Sequence, residues 1–138
     1  MNDIKALMIE IYETYKYDWM NFKIDDEEVT YHHIIKEENG GKVTLDNGAL
    51  LTSRAHEYLH MIERMDLDIY EMINKIFKNI NDQKHAPTYE QRNMINLLLF
   101  EFETKNADKI IRKSHKLGKK RIEVATNKRL KLQLQKRR

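Results

Sequence analysis

Apolar side chains return every three or four residues from the start of the chain, at Ile4, Leu7, Met8, Ile11, Tyr15, Trp19 and Phe22. That spacing predicts one long amphipathic helix, with Asn2 or Asp3 able to cap it. The acidic run from Asp25 to Glu28 predicts a surface loop. Val29 to Ile35 is β-branched and aromatic enough for a strand, with His32 and His33 toward its far end. Asn39-Gly40-Gly41 and Asp46-Asn47-Gly48 are turn-forming stretches, and the second leads into the short apolar stretch Ala49 to Leu51. Two short strands joined by an irregular excursion are therefore expected. Thr52 or Ser53 then opens a helix that holds His56, Leu59, His60, Ile62 and Glu63. Further helices follow, one with Leu67, Ile69, Tyr70, Ile73, Ile76, Phe77 and Ile80, the other started by Pro87-Thr88 and holding Met94, Ile95, Leu97 to Phe100 and Phe102. These two are expected to supply most of the core.

The fold class this predicts is α+β, a mostly helical single domain over 1–117 followed by a basic C-terminal tail over 118–138. A length of 138 residues suits one compact domain. With 41% hydrophobic and 34% charged residues, the composition excludes wholesale disorder. The chain has no cysteine, which rules out disulfides and thiolate metal sites, so any ion must bind His, Asp, Glu or Asn. Charges interrupt every apolar stretch near the N-terminus, so neither a signal peptide nor a membrane span is expected, and the cytoplasm is the default compartment.

Charge is unevenly placed. Lys109 to Arg138 hold thirteen basic residues and one acidic residue, Glu123, or +12; the remaining 12 basic and 21 acidic residues give residues 1–108 a charge of −9. A tail of this kind is expected to seek a polyanion, with Lys119, Lys120, Arg121, Lys128 and Arg129 as candidate phosphate contacts. It lacks the aromatic or long apolar anchor of a membrane-surface segment. A solubilising tail, or one folded back on the acidic body, is the competing reading.

His56 and His60 lie one helical turn apart, a spacing at which two imidazoles can share a divalent ion. His56-Glu57-Tyr58-Leu59-His60 also fits the His-Glu-x-x-His pattern of zinc metalloproteases, with Glu57 as the water-activating base. The bland reading is a surface helix with ordinary histidines. The upstream residues shift the balance. Tyr31-His32-His33-Ile34, Gly40-Gly41, Asp46-Asn47-Gly48-Ala49-Leu50-Leu51-Thr52 and His56-x-x-x-His60, taken together, resemble the H-N-H endonuclease motif, a ββα-metal (His-Me) finger. The order is most like that of the bacteriocin DNases. The likeness runs from Tyr31 to Glu63, within a finger at about 29–64. Many relatives add two Cys-x-x-Cys pairs around a structural zinc; Thr52 and Ala55 stand where one pair would be.

The resemblance implies a metal-dependent endonuclease acting on nucleic acid, double-stranded DNA being the expected target. His32, His56 and His60 would bind one divalent ion, whether Mg²⁺, Mn²⁺, Ni²⁺ or Zn²⁺. His33 would be the general base, and Asn47 would brace the inter-strand loop so that His33 keeps its direction. Arg54 could reach a phosphate or simply sit solvated on the helix. His85 and His115 lie outside the motif and read as surface residues. A small zinc metalloprotease and a finger that binds nucleic acid without cutting it are the alternatives.

Overall fold

The computed structural model describes residues 2–26 and 28–110. The tail contacts expected at Lys119, Lys120, Arg121, Lys128 and Arg129 lie outside the described residues. The chain forms an α+β domain in the order α1 (Asn2–Ile11), β1 (Thr30–His33), a 3-10 turn (Glu37–Asn39), β2 (Gly48–Leu51), α2 (Ser53–Met65), α3 (Leu67–Gln83) and α4 (Tyr89–Lys105). β1 and β2 pair antiparallel, with Thr30 opposite Leu51 and His33 opposite Gly48. The expected strand–strand–helix succession is present, and α2 follows β2 after the single residue Thr52. Among the described residues no helix is long and apolar enough to cross a membrane.

The helix boundaries follow from local chemistry. Thr52 Oγ1 accepts from the Ala55 amide at 3.2 Å and opens α2, while Asp66 Oδ1 accepts from the Ile69 amide and opens α3. Thr88 and Gln91 form a reciprocal capping box at the start of α4. Between α3 and α4, Lys84 takes the left-handed conformation that ends a helix.

The first helix departs from expectation. It stops at Ile11, and the apolar residues beyond it reach the core from irregular backbone: Tyr12, Trp19, Met20 and Phe22 are all buried. Glu13 and Asn21 adopt positive φ values of 49° and 66°, which no helix tolerates. Asp18 explains the second of these turns. Its Oδ1 accepts from the Met20 and Phe22 amides at 2.8 and 2.9 Å, an alternative to helical bonding that aspartate is well suited to offer. Of the helically spaced residues past Ile11, Trp19 and Phe22 are buried whereas Tyr15 is 54% exposed, so the spacing reported neither a continuous helix nor a single buried face.

Asp18 reaches further. It is fully buried, and its Oδ2 accepts from both the amide and the hydroxyl of Thr52 at 2.8 Å. Trp19 donates its amide to the Leu50 carbonyl, so the same turn is stitched to β2. Edge-on aromatic contacts run from Tyr12 to Trp19 and from Trp19 to Phe77 of α3, with ring centres 4.8 and 6.1 Å apart. The junction of β2 and α2 is thus held by residues contributed from far upstream.

Removing the Asp18 carboxylate leaves four buried donors without an acceptor, so Asp18→Ala is expected to destabilise the domain by at least about 3 kcal/mol in urea unfolding. Burial pushes the Asp18 carboxyl up to about 6, against the pull of its Thr52, Phe22 and Met20 donors. The folded value therefore exceeds the unfolded 3.8, and protonation favours the fold. The wild-type advantage over Asp18→Ala should be greatest below about pH 4 and should narrow as pH rises through about 6.

Candidate active site

The strand pair and α2 bring His32, His33, His56 and His60 to one cleft of about 290 Å³, lined also by Tyr31, Lys36, Glu37, Glu38 and Tyr70. Alternation along β1 sends His32 inward, where it is 4% exposed, and turns His33 to the Tyr31 side. The His32 ring meets Phe77 edge-on at 5.8 Å. The His33 ring meets Tyr31 edge-on at 5.1 Å. Tyr31 is itself fixed, because its hydroxyl donates to the Thr44 carbonyl at 2.8 Å and accepts from the Thr44 amide at 3.1 Å. His56 and His60 project from α2 on the cleft side, with rings stacked at 4.8 Å between centres. The His32 and His56 rings are 5.4 Å apart.

Asn47 occupies the position expected of a brace. Its Oδ1 accepts from the Ile35 amide at 2.7 Å, and its Nδ2 donates to the carbonyls of Ile35 and Lys42 at 2.9 and 3.1 Å. Its own carbonyl accepts from the Ile34 amide. Asn47 therefore pins the two residues that follow His33, Ile34 through its backbone carbonyl and Ile35 through its side chain, and fixes the strand's exit. The two glycines of the loop have different jobs. Gly40 supplies the left-handed turn, at φ 90°, that ends the 3-10 segment. Gly41 is required for closeness, since a Cβ there would overlap the Ile35 carbonyl and crowd Asn47 Nδ2.

The imidazole protons can be traced through their partners. The Thr30 hydroxyl donates its single proton to the Leu51 carbonyl at 2.8 Å. It can therefore only accept from His56 Nδ1, 3.0 Å away, which leaves the lone pair of His56 on Nε2. His60 Nδ1 lies 3.8 Å from Glu63 Oε1, and Glu63 also pairs with Lys36. His32 Nε2 is 2.9 Å from Asn74 Oδ1 on α3. Burial pushes the His32 imidazole down to about 4, and burial together with the neighbouring His60 and His33 lowers that of His56. Both rings are neutral at physiological pH, the state in which a nitrogen can bind a cation.

No protein-family model, no curated protein and no solved structure matches the chain. Two imidazoles sharing one ion at metal–nitrogen distances near 2 Å have ring centres roughly 5 Å apart. The 4.8 and 5.4 Å separations here are of that order. Among the described residues, however, no group of three or more His, Asp or Glu side chains is set closely enough to hold an ion as it stands. The donor types and the His56 tautomer fit a divalent ion. His60, whose side chain is 51% exposed, is the member with room to adjust.

Two residues singled out in the sequence lie elsewhere. Arg54 donates to the Lys23 carbonyl at 2.6 Å, lies 4.0 Å from the Asp25 carboxylate and faces the Phe22 ring, away from the cleft lining. Glu57 is exposed on α2 and is not part of the cleft lining. Sequence reasoning passed over Thr30, Lys36, Glu63, Tyr70 and Asn74. Glu63 was detectable from its place three residues after His60 on one helix. Asn74 carried no signal, since only tertiary packing brings it to His32.

Loss of the Asn47 side chain strands the Ile35 amide and two carbonyls, so Asn47→Ala is expected to cost about 1–3 kcal/mol in denaturant unfolding. Gly41→Ala should produce a comparable loss by steric conflict at the same brace. A Gly40→Ala change meets open space but keeps the positive φ, so it should cost only about 1 kcal/mol.

Proposed function

We propose that the protein is a metal-dependent endonuclease that hydrolyses phosphodiester bonds in DNA, with residues 29–64 acting as a His-Me finger. The observation that carries this reading is the meeting of His32, His33, His56 and His60 in one cleft, behind a loop braced by the side chain of Asn47. His32, His56 and His60 would hold the ion, of a kind such as Mg²⁺, Mn²⁺, Ni²⁺ or Zn²⁺. When bound, it supplies Lewis-acid stabilisation of the charge that develops on the phosphoryl and leaving oxygens.

His33 is assigned to proton removal from the attacking water. It lies on the opposite side of β1 from His32 yet lines the same cleft, as a base distinct from the ligands must. Tyr31 buttresses its ring, and Asn47 fixes the backbone that follows it. Lys36 brings a cation to the cleft wall, where it is paired with Glu63. The side chains so divide into those that hold, one that accepts a proton, and those that aim it. The protease alternative is disfavoured because Glu57, its required base, is exposed and away from the cleft lining.

Plasmid nicking across a metal series tests the assignment. His33→Ala should lower the nicking rate by about a hundredfold or more while ion binding survives, and Glu57→Ala should leave nicking near wild type. Normal cutting by His33→Ala would remove the assignment, whereas a wild-type protein that shifts DNA in a gel but never cuts it would be a binding module. The tail enters the proposal through its charge alone. Truncation after Leu117 is expected to weaken DNA binding and flatten its dependence on salt, because fewer counterions are released. An unchanged salt slope would take the tail off the binding surface.

A further inference from the structure

A neutral imidazole has one N–H and one lone pair, and the partner of one nitrogen decides the role of the other. For His56 that partner comes from within the strand–strand–helix unit, in the Thr30 hydroxyl. For His32 it does not. Asn74 stands in the middle of α3, 42 residues further along, and its Oδ1 is 2.9 Å from His32 Nε2. A carbonyl-type oxygen only accepts, so Nε2 carries the proton and Nδ1 keeps the lone pair. The other end of Asn74 is held as well. Burial raises the Tyr70 phenol above its usual range, and a hydrogen bond from the Asn74 side chain pulls the other way. Tyr70 lines the histidine cleft and, with Asn74 and Lys36, an adjoining groove of about 570 Å³. His32 is thus tied to α3 through a side chain that is itself fixed.

We propose that Asn74 is a positioning residue for His32, which by accepting from Nε2–H holds the tautomer that leaves Nδ1 available to the cleft. The functional unit then extends beyond residues 29–64, since α3 supplies the partner that the strand pair and α2 lack. The consequence for ion binding rests on the reading of the cleft as a metal site. The hold on the tautomer does not.

Long-range ¹H–¹⁵N correlation spectra of the histidine rings, recorded on the full chain without added metal at about pH 8, read the tautomer directly, well above the unperturbed histidine pKa of about 6.5. The wild-type protein should show His32 as the Nε2–H form. Asn74→Ala should convert it to a mixture of the two forms, and Asn74→Asp, which keeps an acceptor, should restore Nε2–H. Asn74→Ser serves as a second variant if Asn74→Ala fails to fold. Calorimetric titration with Ni²⁺ should then show affinity about 10- to 100-fold lower for Asn74→Ala, with recovery in Asn74→Asp. An Nδ1–H form of His32 in the wild type, as a reversed Asn74 amide would impose, overturns the proposal. So does a tautomer that ignores the loss of Asn74. A tautomer that follows Asn74 in a protein binding neither Ni²⁺ nor Zn²⁺ supports the hold on His32 and instead overturns the metal reading of the cleft.

Discussion

One carboxylate in a place without water organises the histidine helix. Asp18 accepts from two amides of its own turn and from the amide and hydroxyl of Thr52, the residue that caps α2. Burying such a group is costly unless every acceptor position is used. Here both oxygens are used twice. The irregular path of residues 12–22 is the backbone's accommodation to those bonds, and it delivers Trp19 and Phe22 to the core from positions a helix would have placed differently. The angle at which α2 leaves β2, and with it the aim of His56 and His60, depends on this arrangement.

The cleft itself is graded from fixed to adjustable. His32 is sealed between Phe77, His56 and Asn74, and Asn47, 8% exposed, is bonded along both edges of its amide. His56 is half-buried and held at Nδ1 by Thr30. His60, at the outer end of the stack, has a long contact to Glu63 as its polar partner among the described residues. The site thus concentrates its hydrogen bonds at the inner end and leaves its exposed rim the least constrained.

Much of this was legible in the sequence where the determinants are local. Thr52 and Thr88 announce helices through bonds to amides three residues on, and the turn residues between the strands separate β1 from β2. The helical reading of residues 12–22 failed because apolar spacing is silent about a carboxylate that captures amides nearby. Asn47 was legible as a turn residue, and its three side-chain bonds needed coordinates. Asn74 and Lys36 illustrate the harder limit. Their contacts with the histidine cleft arise only when α3 and the inter-strand loop pack beside α2, so no short stretch of sequence contains them.

Under the proposed endonuclease reading, Thr52 stands where many members of that family would place a cysteine ligand of a structural zinc. In this chain the position is held by a hydroxyl that donates to Asp18 and accepts from the Ala55 amide. The start of the histidine helix thereby rests on a hydroxyl and a buried carboxylate, and an oxidant finds no thiol there to attack.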